Sequence, residues 1–173
     1  MSVDHPKQFV DTNILIYAYD DSAGAKGERA RGILVGLWQS GLGCLSIQVL
    51  QEFFTNATRK IKNPISIDDA AGVVADVAQW RVHSPVTADV LAAIELARRD
   101  KLSYWDAAII TSAQRLGCRL LWSEDLPDGA CYGDVVVRNP FAHPSLLQEP
   151  AADYTPAPVA AGRRGGRRRS RKG

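Results

Sequence analysis

A parallel sheet covered by helices on both faces is the fold this sequence predicts, and three observations point to it. Short apolar runs alternate with segments of helical periodicity from Phe9 to Val137, which is the pattern of strand–helix–strand units. Two of those runs, Phe9-Val10 and Arg119-Leu120-Leu121-Trp122-Ser123, stop directly at acids, Asp11 in one case and Glu124-Asp125 in the other. In open α/β sheets the ligand crevice lies beyond the carboxyl ends of the strands, so both acids would face it. Finally, 173 residues of which 46% are apolar are enough for one domain with a real core and too few for two comfortable ones. The expected division is a domain over residues 1–147 and an Ala/Pro-rich linker with an Arg-rich disordered tail over 148–173.

After the first strand, residues 13–17 read as a short helical turn that Asp11 would cap, and residues 18–27 as a small polar loop. Residues 28–40 place Ala30, Ile33, Leu34, Leu37 and Trp38 at helical spacing, with Gly41 and Gly43 beyond the end. Cys44-Leu45-Ser46 reads as a second strand, and Ser46 suits the N-cap of a helix over 47–60. Val49, Leu50, Phe53 and Phe54 form its buried stripe, and Glu52 sits among them near the positive end of the helix dipole.

Asn63-Pro64 breaks the chain, and Ser66-Ile67-Asp68-Asp69 is a capping box for a helix running to Trp80, with Val73, Val74, Val77 and Trp80 inward. A third strand is expected over 82–86, interrupted by Pro85. Thr87 would cap a helix over 88–99 that turns Val90, Leu91, Ile94 and Ala97 to the core. Ser103 and Asp106 form a second capping box, opening a helix that stops at Gly117. The strand over 119–123 follows, then a Pro127-Asp128-Gly129 turn, a last strand over 135–137 and the closing Asn139-Pro140-Phe141.

The formal net charge of +2 hides an uneven distribution. Residues 163–173 hold seven basic residues and no acid, and without them 14 basic residues face 19 acidic ones, a body of about −5. Such a body does not bind nucleic acid through a broad basic face, although an acidic site that recruits divalent cations is compatible with it. The basic tail reads as a solvated extension, with phosphate attraction as its functional alternative.

Cys44, Cys118 and Cys131 form no CxxC pair and are odd in number, which indicates neither a zinc ribbon nor a disulfide framework and suits a reduced, cytoplasmic protein. Residues 1–8 are polar, unlike a signal peptide, and no apolar run approaches the roughly 18 residues of a membrane span. His5, His83 and His143 are scattered and read as bland surface or core residues.

Asp11, Glu52, Asp106 and Asp125 are distant in sequence, yet each falls at a strand end or a helix start, and these elements meet at one sheet edge. Two carboxylates about 4 Å apart repel by roughly 4 kcal/mol at an effective dielectric of about 20. A cation or protonation must relieve the crowding. With no His or Cys cluster, hard ions with oxygen ligands, Mg²⁺ or Mn²⁺, are the natural partners. An ion held by few carboxylates keeps positions for water and phosphate oxygens, the arrangement that hydrolyses phosphodiesters.

The sequence resembles the PIN domains, and among them the VapC-like ribonuclease toxins of type II toxin-antitoxin pairs. Phe9-Val10-Asp11-Thr12-Asn13, Gln51-Glu52-Phe53, Leu102-Ser103-Tyr104-Trp105-Asp106-Ala107, Leu121-Trp122-Ser123-Glu124-Asp125-Leu126 and Asn139-Pro140-Phe141 carry the likeness. It spans residues 9 to 142.

The resemblance implies a three-layer α/β/α fold with a mostly parallel central sheet and Mg²⁺- or Mn²⁺-dependent cleavage of RNA. It implies catalytic roles for Asp11, Glu52, Asp106 and Asp125, with Asp11 and Asp106 as direct metal ligands. Thr12, Asn13 and Ser123 become supporting polar positions, with Glu124 and Asp128 as competitors for the role of Asp125. It further implies a cognate antitoxin and a homodimer. The Arg-rich tail departs from the pattern of such toxins.

Other parallel-sheet readings fit less well. A haloacid-dehalogenase type wants a second Asp where Asn13 stands, and a receiver domain wants a lysine and an acidic pair that are not evident. A dinucleotide binder wants a Gly-x-Gly-x-x-Gly after the first strand. A non-catalytic RNA-binding scaffold would be expected to have lost one of the four acids, and all four are present.

Overall fold

In a computed structural model the described residues are 5–142, so His143 and the expected linker and tail over 148–173 lie outside them. Six strands form one sheet in the order β3-β2-β1-β4-β6-β5. Its first three strands are β1 (Gln8–Val10), β2 (Gly43–Ser46) and β3 (Arg81–His83), followed by β4 (Leu120–Trp122), β5 (Cys131–Tyr132) and β6 (Val135–Arg138). Every pairing is parallel except β5 with β6. The chain lays down strands on one side of β1 and then returns to the other side, so β1 and β4 flank a topological switch point.

Consecutive strand residues point to opposite faces, and both members of the pairs Phe9-Val10 and Cys44-Leu45 are fully buried. Both faces are therefore covered, as parallel sheets require. The covering helices are α1 (Thr12–Tyr19), α2 (Ala25–Ser40), α3 (Ile47–Arg59), α4 (Ile67–Val77), α5 (Thr87–Asp100) and α6 (Tyr104–Arg115). Helices α1 to α4 pack in succession through α1 and α3, and α5 packs on α6. Ile14, Leu15, Val49, Phe53 and Ile110 close the core against the strands.

Two glycines are required where they stand. Gly41 ends α2 with φ +68, the left-handed cap at which glycine carries no steric penalty. A Cβ on Gly43 would lie 2.4 Å from the Trp80 ring, so the absence of a side chain lets the indole lie directly on β2.

Several elements differ from the sequence expectation. The helical turn after Asp11 is a full α1 of eight residues. The expected loop over 18–27 contracts to a short 3-10 turn, Asp21–Ala23, before α2 opens at Ala25. Strand β3 ends at His83 rather than reaching residue 86, consistent with Pro85 having no amide to give a ladder. Helix α4 ends at Val77, short of Trp80. The two-residue β5 was not anticipated, being too short to show a pattern.

The largest correction concerns α5. Val90, Leu91 and Ile94 are 38%, 62% and 50% exposed, and the buried residues are Asp89, Ala93 and Leu96. Polar bonding turns the helix this way. Asp89 accepts from the Val86 amide at 2.9 Å and from Arg115 Nε at 2.6 Å, and lies 3.3 Å from His83 Nε2. Val86, with its amide bonded to Asp89, thus occupies the N-cap expected for Thr87. Trp38 and Phe54, expected inside, are likewise partly exposed.

Candidate active site at the switch point

Asp11 follows β1 and caps α1, its Oδ1 accepting from the Thr12 amide at 2.7 Å. Ser123, directly after β4, donates to Asp11 Oδ2 at 2.7 Å. The parallel register pairs Val10 with Trp122 and continues with the Asp11 amide donating to the Trp122 carbonyl. The adjacent strands β1 and β4 therefore set this contact by backbone pairing alone.

The other acids arrive on helices. Ser46 caps α3 and sets its start, which brings Glu52 to Thr12. Thr12 Oγ1 donates to Glu52 Oε2 and Gln48 Nε2 to Glu52 Oε1, each at 2.8 Å. Asp106 lies in the first turn of α6, where its amide donates to Ser103 Oγ at 3.1 Å; its carboxylate accepts from that hydroxyl at 2.7 Å rather than from the Ser103 amide, so only half of the expected capping box forms. Asn13 Nδ2 stands between the remaining pair, 3.2 Å from Asp11 Oδ2 and 3.0 Å from Asp125 Oδ2. The Glu124 amide donates to Asn13 Oδ1 at 3.3 Å and fixes the orientation of that side-chain amide.

Asp11, Glu52, Asp106 and Asp125 line one open cavity of 160 Å³ together with Thr12 and Asn13. Glu124 and Asp128 do not line it. Glu124 accepts from Tyr17 OH at 2.6 Å and from Lys26 Nζ. Asp128 accepts from the Asn139 amide at 2.9 Å. Gln48, Asn56 and Trp105 also line the cavity and were not singled out by sequence reasoning. The signal for two of them was present: Gln48, Glu52 and Asn56 recur every four residues, which puts them along one face of α3.

No lysine or arginine lines this cavity among the described residues. Burial, the largest cause, pushes the Asp11 carboxyl up to about 6, with the charges of Asp125 and Glu52 adding to it. The Ser123 hydroxyl and the Thr12 amide work in the opposite direction. Lys26, the cation nearby, is spent on Glu124, whose hydrogen bond raises its pKa.

Among the described residues, no three His, Cys, Asp or Glu side chains close into a ready cage for an ion. The acids stand around the cavity, with Asn13 between two of them and Thr12 and Gln48 holding a third. This donor set is all oxygen and uncompensated by protein cations, and it suits a hard ion that keeps several of its own waters, as Mg²⁺ does.

Solved structures share this fold. The VapC20 toxin of Mycobacterium tuberculosis, described as cleaving the sarcin-ricin loop, is 24% identical with a TM-score of 0.51, over 66% of this chain and 87% of that one. A toxin-antitoxin complex from Klebsiella pneumoniae is 19% identical with a TM-score of 0.57, over 75% and 96%. DNA-bound VapBC from Salmonella typhimurium is 18% identical with a TM-score of 0.53, over 78% and 98%. Comparison with curated proteins gave no match. The family model of the PIN domain matches residues 9–126, well over half of the sequence and all four acids, and the chain belongs to the PIN domain family.

Proposed function

We propose that this chain is a metal-dependent endoribonuclease and the toxin of a toxin-antitoxin pair. The observation that carries the proposal is the cavity at the switch point, lined by four carboxylates and, among the described residues, by no lysine or arginine. Asp11 and Asp106 would hold Mg²⁺ or Mn²⁺. When bound, such an ion supplies Lewis-acid stabilisation of phosphate oxygens and lowers the pKa of water.

The remaining groups orient and move protons. Thr12 and Gln48 fix both oxygens of Glu52, so this acid presents its free lone pairs in a set direction. Asn13 fixes Asp125 through Oδ2 and leaves Oδ1 to take a proton from the attacking water. The water oxygen bonds to phosphorus, a phosphorus–oxygen ester bond breaks, and the departing oxygen takes a proton from solvent water. Ser123 holds the Asp11 carboxylate in register with β4.

Membership of the PIN family and the toxin-antitoxin complexes among the similar folds support the biological assignment. A homodimer fits the exposed apolar strip of Leu91 and Ile94 on α5. The free cysteines fit a reducing cytoplasm, and no helix among the described residues is long and apolar enough to cross a membrane.

The test is cleavage of single-stranded RNA by the full chain in Mn²⁺. Activity should fall at least 100-fold on adding EDTA and in the Asp11→Asn and Asp106→Asn chains, since uncompensated loss of an essential group at a reacting centre costs several kcal/mol. Folded variants that still cut would refute the metal assignment.

A further inference from the structure

Trp105 is 62% exposed although it directly precedes Asp106 and lines the acid cavity. The same residue, with Gln48, also lines a second hollow of 180 Å³ beside the first. Its apolar wall is made by Ile47, Pro85, Val90, Tyr104 and Ala108, and Gln51 adds a side-chain amide. The Tyr104 ring meets Trp105 edge-on at 5.1 Å, and Gln48 Nε2 donates to the Trp105 carbonyl at 3.3 Å while also binding Glu52. One amide thus joins the acid that faces the substrate to the backbone that carries the indole.

We propose that Trp105 and this hollow form a base-binding subsite, in which an unpaired RNA base next to the scissile phosphate stacks on the indole. The inference rests on the nuclease reading and adds a residue that positions the substrate. A planar aromatic on a rigid helix start offers a stacking surface for any base, and single-stranded RNA is recognised chiefly through such surfaces. The Gln51 amide, and the Gln48 Oε1 that its two bonded N–H groups leave free, supply a donor and acceptors for a base edge. Because Gln48 and Trp105 belong to both hollows, a phosphate at the acids leaves its neighbouring base beside the indole. That continuity favours a nucleotide over a partner helix as the occupant.

The experiment uses the full chain, a short single-stranded RNA whose cut bond has been mapped, and copies of that RNA carrying one abasic nucleotide at each position near the bond. One abasic position should lower kcat/KM of the native chain about 10- to 100-fold, the range that base stacking supports. Trp105→Ala should produce the same loss on intact RNA and no further loss on that abasic RNA, while Trp105→Phe retains most activity. In equilibrium binding, the Asp11→Asn chain should show the same dependence on that base.

Losses from Trp105→Ala and from the abasic site that multiply overturn the proposal, as does unaltered cleavage by Trp105→Ala. A Trp105→Ala chain that changes only its assembly state makes this face a protein interface and overturns it as well. A native chain that cuts no RNA overturns the nuclease reading and this inference with it. Cleavage that ignores Trp105 overturns this inference alone.

Discussion

Asp11 is the residue on which the proposed chemistry turns, because it is buried and short of positive charge. Burial pushes its carboxyl up from the ordinary 3.8 to about 6, so the folded state binds a proton that the unfolded state releases between those values. Stability of the ion-free chain therefore falls as pH rises from about 4 to 6 and stays reduced above, by up to roughly 3 kcal/mol at 1.36 kcal/mol per pH unit. In EDTA at pH 7.5, Asp11→Asn should melt higher than the native chain. The native chain should gain melting temperature on adding Mn²⁺, with an apparent affinity that rises through pH 6. An Asn variant that melts lower in EDTA would show that the carboxylate is already compensated. All four acids were legible in the sequence because strand ends and helix starts mark the sheet edge. Which of Glu124 and Asp125 lines the cavity was not, since neighbouring residues after a strand separate only once Lys26 and Tyr17 are seen to bond Glu124.

At the scale of elements, the strands other than β5 and the serine caps were readable, and the helix faces less so. Ser46, Ser66 and Ser103 accept from backbone amides as their sequence contexts require. Helix α5 misled because large apolar residues were assumed to face inward, whereas a buried carboxylate bonded to Arg115 and the Val86 amide fixes its rotation. Asp89 has its pKa lowered first by that amide bond and then by Arg115. The contact of Gly43 in β2 with Trp80, the residue before β3, was also invisible in the sequence, because a glycine leaves no pattern. Gly43→Ala should destabilise the chain by at least 1–3 kcal/mol, the usual cost of overpacking, since its Cβ would enter the Trp80 ring. Chemical denaturation measures this, and an unchanged midpoint would mean that the indole moves freely.

For the whole molecule, strand order converts distance in sequence into proximity. Because β4 returns beside β1, residues 112 apart in sequence, Asp11 and Ser123, meet in one hydrogen bond. Alternation of strands and helices announced the parallel sheet, but not the antiparallel edge that β5 adds. The Arg-rich residues 163–172 belong to this scale too, since charge acts over distance. If they attract RNA, deleting them should flatten the dependence of binding on salt, because each phosphate contact on a single strand contributes about 0.7 of a unit of slope. Equal slopes for the full and shortened chains would assign the tail no part in binding.

The most direct measurement is anomalous scattering from a crystal grown in Mn²⁺. An ion ligated by carboxylate oxygens of Asp11 and Asp106, at the mouth of the cavity they share with Glu52 and Asp125, is the expected result. A cavity free of manganese at saturating concentration, with those acids unmoved, would contradict the assignment of a metal-dependent nuclease.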